Sequence, residues 1–143
     1  MDIARLIAAR DPAQIVTCPA GATVRQAVKL LAEKRIGALP VTGGGQVMGI
    51  FSERDVLYCM AEEGEACLDR QVGEVMTSPP IAISPETSFI DALALMTRRR
   101  IRHLPVMRGT AMIGFISIGD IVKARIDEIS AEAEHMRQYI QTA

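Results

Sequence analysis

One segment of this chain occurs twice, and the repetition limits its possible folds more than any other feature. RIGALPV at 35–41 returns as RIRHLPV at 100–106, so Pro40 and Pro105 stand 65 residues apart. At the same offset, without a gap, Ala27 matches Ala92, Leu30 matches Leu95, Gly49 matches Gly114, Ser52 matches Ser117, and Asp55 matches Asp120. Positions between these identities stay largely apolar in both copies. The chain therefore reads as two copies of one module of about 45 residues. Two copies are too few for an open solenoid, which needs about three repeats to cover its core. A closed, face-to-face pair is expected.

Both copies have the same outline. Val24, Ala27, Val28 and Leu31 fall at helical spacing, as do Phe89, Ala92, Leu93 and Met96. Thr23 with Gln26, and more loosely Ser88 with Asp91, provide the capping residues that start these helices. A hairpin follows in each copy: Ala38–Thr42 with Gln46–Phe51 around Gly43–Gly45, and His103–Met107 with Ala111–Ile116 around Gly109. Pro40 and Pro105 cannot donate to a ladder, which predicts a strand start or an edge for each. A second helix follows Ser52 and Ser117, and short extended runs, Ile15–Cys18 and Ile81–Ser84, precede the copies. The fold class expected is α+β: two pseudo-symmetric β-α-β-β-α repeats packed together, at 10–66 and 72–126, with a C-terminal helical extension at 127–143. The joint at Cys67–Pro80 ends in Thr77-Ser78-Pro79-Pro80, which reads as linker. In the tail Val122, Ile126, Ile129, Ala133, Met136 and Ile140 are spaced 4, 3, 4, 3, 4. That seam either packs on the protein's own body or pairs with a second subunit.

Charge and composition narrow the function. Sixteen basic against seventeen acidic residues leave a net charge of −1 in 143 residues, so no global field attracts nucleic acid or an anionic membrane. Aromatic residues at 3% argue against base-stacking platforms. Three cysteines without a C-x-x-C, and two histidines, make a four-ligand zinc site improbable. The longest charge-free run, 36–52, holds Pro40 and five glycines and cannot be a spanning helix. Asp2 and Arg5 break any signal-peptide core. A reduced, soluble, cytoplasmic protein is expected. The methionines, Met48 and Met112 among them, read as core filler.

The candidate site is the recurring Gly-apolar-apolar-Ser-x-x-Asp, GIFSERD at 49–55 and GFISIGD at 114–120. It falls where a strand gives way to a helix, so free N–H groups and the positive dipole end gather there. An Asp in the first turn can accept both hydroxyls of a ribose, the Ser hydroxyl can assist, and the Gly allows close approach of a backbone or ligand. Ser-x-x-Asp is equally a plain N-cap. A phosphate beside such an Asp needs cations. The second copy has Arg102 and His103 at its strand start where the first has Gly37 and Ala38, while Arg54 lies inside the first motif. Arg98–Arg100 read as a solvated helix end. Neither a nucleophile–base pair nor a phosphate-binding glycine loop is recognisable, so no catalytic residue and no metal ligand is assigned.

On these residues the chain resembles the cystathionine β-synthase (CBS) domain family, as a tandem pair or Bateman module over roughly residues 10–126. The Leu-Pro-Val strands at 39–41 and 104–106, the Gly-x-x-Ser-x-x-Asp ends and VGEVMT at 72–77 carry the resemblance. It is similar to stand-alone bacterial CBS-pair proteins. The resemblance implies an adenine nucleotide in the cleft between the repeats, AMP foremost, with ADP, ATP or NAD(H) as alternatives. It implies one site from Val16, Pro40, Ser52, Arg54 and Asp55, and a second from Ile81, Arg102, His103, Pro105, Ser117 and Asp120. Arg102 would serve the ligand at Asp55 instead if the repeats exchange residues across the cleft. The resemblance further implies a regulatory signal-transduction role without catalysis, a disc-like homodimer, and an unidentified protein target. The rival readings are a regulatory subunit or fragment of an enzyme complex and a ligand-free structural dimerisation module.

Overall fold

The computed structural model describes residues 2–142. Repeat 1 comprises β1 (Cys18–Pro19), α2 (Val24–Lys34), β2 (Ala38–Gly43), β3 (Gln46–Ser52) and α3 (Glu53–Glu63). Repeat 2 comprises α5 (Phe89–Arg99), β4 (His103–Arg108), β5 (Ala111–Ser117) and α6 (Ile118–Thr142). The extension expected at 127–143 continues α6 without a break, and Ala143 lies outside the described residues. A short α1 (Ile3–Ile7) precedes repeat 1, and α4 (Val72–Val75) precedes repeat 2.

Local chemistry places these elements. Thr23 accepts from the Gln26 N–H while the Gln26 side chain accepts from the Thr23 N–H, a complete capping box for α2. Ser88 accepts from the Asp91 N–H at α5 without the reciprocal bond. Val24, Ala27 and Leu31 are buried on one face, as are Phe89, Ala92 and Met96 on the other repeat's helix. Gly44 and Gly45 take positive φ and let the first hairpin close; Gly109 does the same in the second. Of the extended runs, the first becomes strand only at Cys18–Pro19, pairing parallel to β2, and the second makes a single bridge, Ile83 to Val106.

The prolines depart from expectation. Pro40 lies inside β2, the central strand of the order β1-β2-β3, and Pro105 occupies the same position in β4. Ile50, opposite Pro40, spends its own N–H and C=O on Thr77. The parallel ladder to β1 begins only at Val41. A backbone N–H at position 40 would have no partner, so a proline there loses nothing. Met48, expected in the core, is exposed and lies over Gly43.

Two cores form, one per repeat, and each is completed by a segment that precedes the other repeat. Ile3 and Ile7 of α1 pack with Phe89, Met96, Leu104 and Ile116 of repeat 2. Cys67 and Val72, from the joint, pack with Val24, Leu39 and Phe51 of repeat 1. The joint is thus not a linker: Cys67 and Val72 are fully buried. Backbone bonds fix both arms, Ile3 N–H to Thr87 O (2.9 Å) and Ala4 N–H to Pro85 O (2.8 Å) on one side. On the other, Val72 N–H donates to Ala22 O (2.8 Å) and Gly73 N–H to Ala20 O (2.9 Å). Apolar burial of this kind, worth about 1.5–3 kcal/mol per large aliphatic side chain, makes the arms part of the fold.

Candidate ligand clefts

The recurring motif sits at two equivalent strand-to-helix junctions. Ser52 is extended and caps α3, its Oγ accepting from the Asp55 N–H, and the Ser52 N–H returns a 2.9 Å bond to Asp55 Oδ2. Ser52 Oγ–H also donates to Oδ2 (3.2 Å), and Thr77 Oγ–H donates to Asp55 Oδ1 (2.9 Å). At the second junction the Ser117 N–H donates to Asp120 Oδ2 (2.8 Å) and Ser117 Oγ accepts from the Asp120 N–H (3.1 Å). The capping role is therefore real at both sites. A carboxylate offers about four lone-pair directions, so capping leaves acceptors for a ligand.

Asp55 faces a cleft of about 100 Å³. Its walls include Ser52, Glu53 and Arg54 of repeat 1, and Ile81, Arg102 and His103 of repeat 2. Asp120 faces a wider cleft of about 710 Å³. Val16, Ile36, Gly37 and Ala38 of repeat 1 line it against Ser117 and Phe115 of repeat 2. The repeats thus exchange residues: each carboxylate meets the strand start of the other copy. The sequence grouping set Ile81 and Arg102 beside Asp120 and Val16 beside Asp55, whereas the structure places Ile81 and Arg102 in the Asp55 cleft and Val16 in the Asp120 cleft; His103, grouped with Asp120, does line the Asp120 cleft. Pro40 and Pro105 join neither cleft, because both are buried within their sheets.

His103 lines both clefts. Its ring stacks on Phe115 with centroids 5.7 Å apart and planes 14° apart. Burial, helped by neighbouring Arg102, pulls its pKa below the ordinary 6.5, against the opposing pull of Asp120 and Glu53. Gly37 stands where Arg102 stands in the other copy, and the space a side chain would need there is taken by Glu53 Oε1 (3.1 Å) and His103 (3.5 Å). Position 37 is small because Glu53 of its own repeat crowds it and His103 of the other repeat lies just beyond.

Sequence reasoning missed Arg10, Arg35 and Thr77. Arg10 forms a forked ion pair with Asp120, at 3.2 Å to Oδ1 and 3.4 Å to Oδ2. Burial acts to raise the Asp120 pKa, but the Ser117 bonds and Arg10 outweigh it and hold the carboxyl below its ordinary 3.8. Arg35 lines the same cleft. The Asp55 cleft draws its cations from Arg54 and Arg102, the Asp120 cleft from Arg10 and Arg35. The cysteines take no part: all three are buried, and burial pushes the Cys18 thiol up to about 11 and that of Cys59 up to about 12. Among the described residues no cluster of His, Cys, Asp and Glu could hold a metal ion. No described helix is long and apolar enough to cross a membrane.

The family model of the CBS domain matches residues 7–62 and 72–127. The chain belongs to the CBS-domain family, as a tandem pair. It is 39% identical over 129 residues to the mitochondrial CBS domain-containing protein CBSX3 of Arabidopsis thaliana, covering 87% of this chain and 63% of that protein. The chain thus spans just under two thirds of that relative's length. A solved CBS-domain protein of Burkholderia ambifaria superposes with a TM-score of 0.82 at 38% identity, over 89% of this chain and 95% of that one. The same fold recurs in CBSX2 in complex with AMP, with a TM-score of 0.75, 24% identity, and coverage of 88% and 96%. It recurs too in the CBS pair of MJ0100 in complex with 5′-methylthioadenosine and S-adenosyl-L-methionine, with a TM-score of 0.76, 18% identity, and coverage of 90% and 98%. CBS-pair proteins are regulatory rather than catalytic as a class.

Proposed function

We propose that this chain is an adenine-nucleotide sensor, with AMP as its foremost ligand, that works as a homodimer in signal transduction and performs no chemistry itself. We place it in a reducing compartment, the cytoplasm in the first instance, where a protein target reads its liganded state. One observation carries the reading: Asp55 and Arg102, 47 residues apart in the chain, line one cleft from opposite repeats. Asp55 offers carboxylate acceptors for ribose hydroxyls at a helix start. Arg54 and Arg102 supply the positive charge a monophosphate requires, and Ile81 and Ile50 supply an apolar wall for a base. The AMP complex of CBSX2 supports the same ligand class.

The Asp120 cleft is the second site in this reading. Its volume lies within the usual 300–1,000 Å³ of small-molecule pockets, but Arg10 already engages the carboxylate. A ligand there must share or displace Arg10, so the Asp55 cleft is assigned the tighter AMP site, its smaller cavity opening as the exposed guanidinium of Arg102 swings onto phosphate. Calorimetric titration tests this. Asp55→Ala removes the tighter phase of AMP binding and Asp120→Ala the weaker. Arg102→Ala weakens AMP by about 1.5–3 kcal/mol, as for a lost charged hydrogen bond, and adenosine far less. If both aspartate variants bind AMP like the parent, neither carboxylate is a ligand residue and both serve only as caps. A parent that no adenine ligand stabilises, at millimolar concentration, is a dimerisation module.

A further inference from the structure

Only the first turns of α6 touch the body. Ile121 is fully buried and Ala124 and Glu128 are half-buried, whereas every described residue from 131 to 142 is exposed. The five large apolar side chains of the heptad seam, Val122, Ile126, Ile129, Met136 and Ile140, are between 45% and 69% exposed. The seam therefore does not pack on its own subunit. Twelve exposed residues of isolated helix are marginal in water, and an unbroken apolar stripe on such a helix is the signature of a partner.

We propose that α6 from Val122 to Ile140 forms a parallel two-stranded coiled coil with α6 of a second copy. The proposal rests on the homodimer reading above and gives it a segment and an orientation. With Ile126, Ala133 and Ile140 at the first core position and Val122, Ile129 and Met136 at the second, Glu132 and Arg137 fall at the flanking positions that meet across a parallel pair. Twofold symmetry makes that attraction twice. Glu132 has no ion pair among the described residues, and the bond of Arg137 to Glu134 (3.5 Å) is exposed and exchangeable. An antiparallel pair instead sets Glu132 against its own copy and Lys123 against Arg137. Charge thus selects both the occupant, since the seam complements itself, and its direction.

Four variants of the whole chain test the proposal by sedimentation equilibrium and oxidative cross-linking. Met136→Cys places two thiols at one core layer in a parallel pair and is expected to give a covalent dimer. The native cysteines are buried, so the parent gives none. Ile129→Glu buries an unpaired charge only if the coil forms, and raises the dimer dissociation constant about 100-fold or more. Glu132→Arg weakens the dimer, and adding Arg137→Glu restores it. All four substituted positions are exposed, so the body keeps its fold. A dimeric parent whose Met136→Cys variant does not cross-link, or whose Ile129→Glu variant dimerises unchanged, overturns the coil and leaves the homodimer standing. A parent that stays monomeric at tens of micromolar overturns both.

Discussion

Gly49 and Gly114 recur in register, and they do the same mechanical work with different margins. A Cβ on Gly49 would lie 2.6 Å from the Thr77 carbonyl oxygen and 2.8 Å from Met76 Sδ. On Gly114 it would meet side chains rather than backbone, Ile7 at 3.0 Å and Val106 at 3.4 Å. Each glycine therefore makes room for the arm that precedes the other repeat, and ligand approach is not its reason. In Gly49→Ala the joint must retreat, breaking the paired bonds of Ile50 and Thr77 (3.0 and 2.9 Å). Two backbone bonds at about 0.5–1.5 kcal/mol each, with overpacking of about 1–3 kcal/mol, give a loss of about 2–6 kcal/mol. For a chain of this size the midpoint should fall by roughly 5–15 °C. Gly114→Ala asks only that Ile7 shift its side chain, and should cost about 1–2 kcal/mol. Thermal unfolding followed by circular dichroism measures both. The Gly49 variant should also lose AMP affinity, because Thr77 leaves Asp55. A Gly49→Ala protein that melts within about 2 °C of the parent, or later than Gly114→Ala, refutes the assignment of these glycines to arm docking.

Other outcomes follow from geometry already given. The pKa of His103 is depressed in the fold, so the unfolded chain binds more protons from 6.5 downward and stability should fall as pH drops through that window. His103→Gln should flatten that part of a pH series of urea midpoints. Asp120, also depressed, adds stability present above its ordinary 3.8 and lost as pH falls through its lower folded value. Arg10→Ala should steepen no part of the profile, raise the Asp120 pKa by carboxyl NMR, and cost only about 0.2–1 kcal/mol at neutral pH, since both partners are partly exposed. Phe51→Ala empties the largest fully buried site of the first core and should cost about 3–5 kcal/mol by chemical denaturation.

Local features were legible in the sequence because their causes are local. Thr23 with Gln26, Ser52 with Asp55, the glycine turns and the two helical stripes each fixed an element within a few residues of where it lies. Relations between the copies were not. Which strand start faces Asp55 depends on how one repeat is turned against the other, and no spacing along the chain encodes that. Arg10 was overlooked for the same reason: it reaches Asp120 of the other repeat across 110 residues. The arms were invisible because IARLI is too short to announce a helix, and Cys67–Pro80 carries turn residues although Cys67 and Val72 are core. Pro40 misled because a rule about prolines in strands assumes a ladder partner that β1 is too short to supply.

The exchanged arms and the exchanged clefts share one geometry. Asp2 bridges to Ser88 as Gln71 bridges to Thr23, so each arm meets the other repeat at the same register. A single arm-plus-module chain could satisfy every one of these contacts with an identical twin, each lending its arm and its strand start to the other. The present molecule holds the two halves of such a twofold pair in one chain, where they need not be identical. In one chain Arg102 and Gly37 need not be the same residue, so the Asp55 cleft has Arg102 while the Asp120 cleft has Arg10. A single chain thereby does what a symmetric pair of identical chains cannot: it gives the two pockets separate tunings.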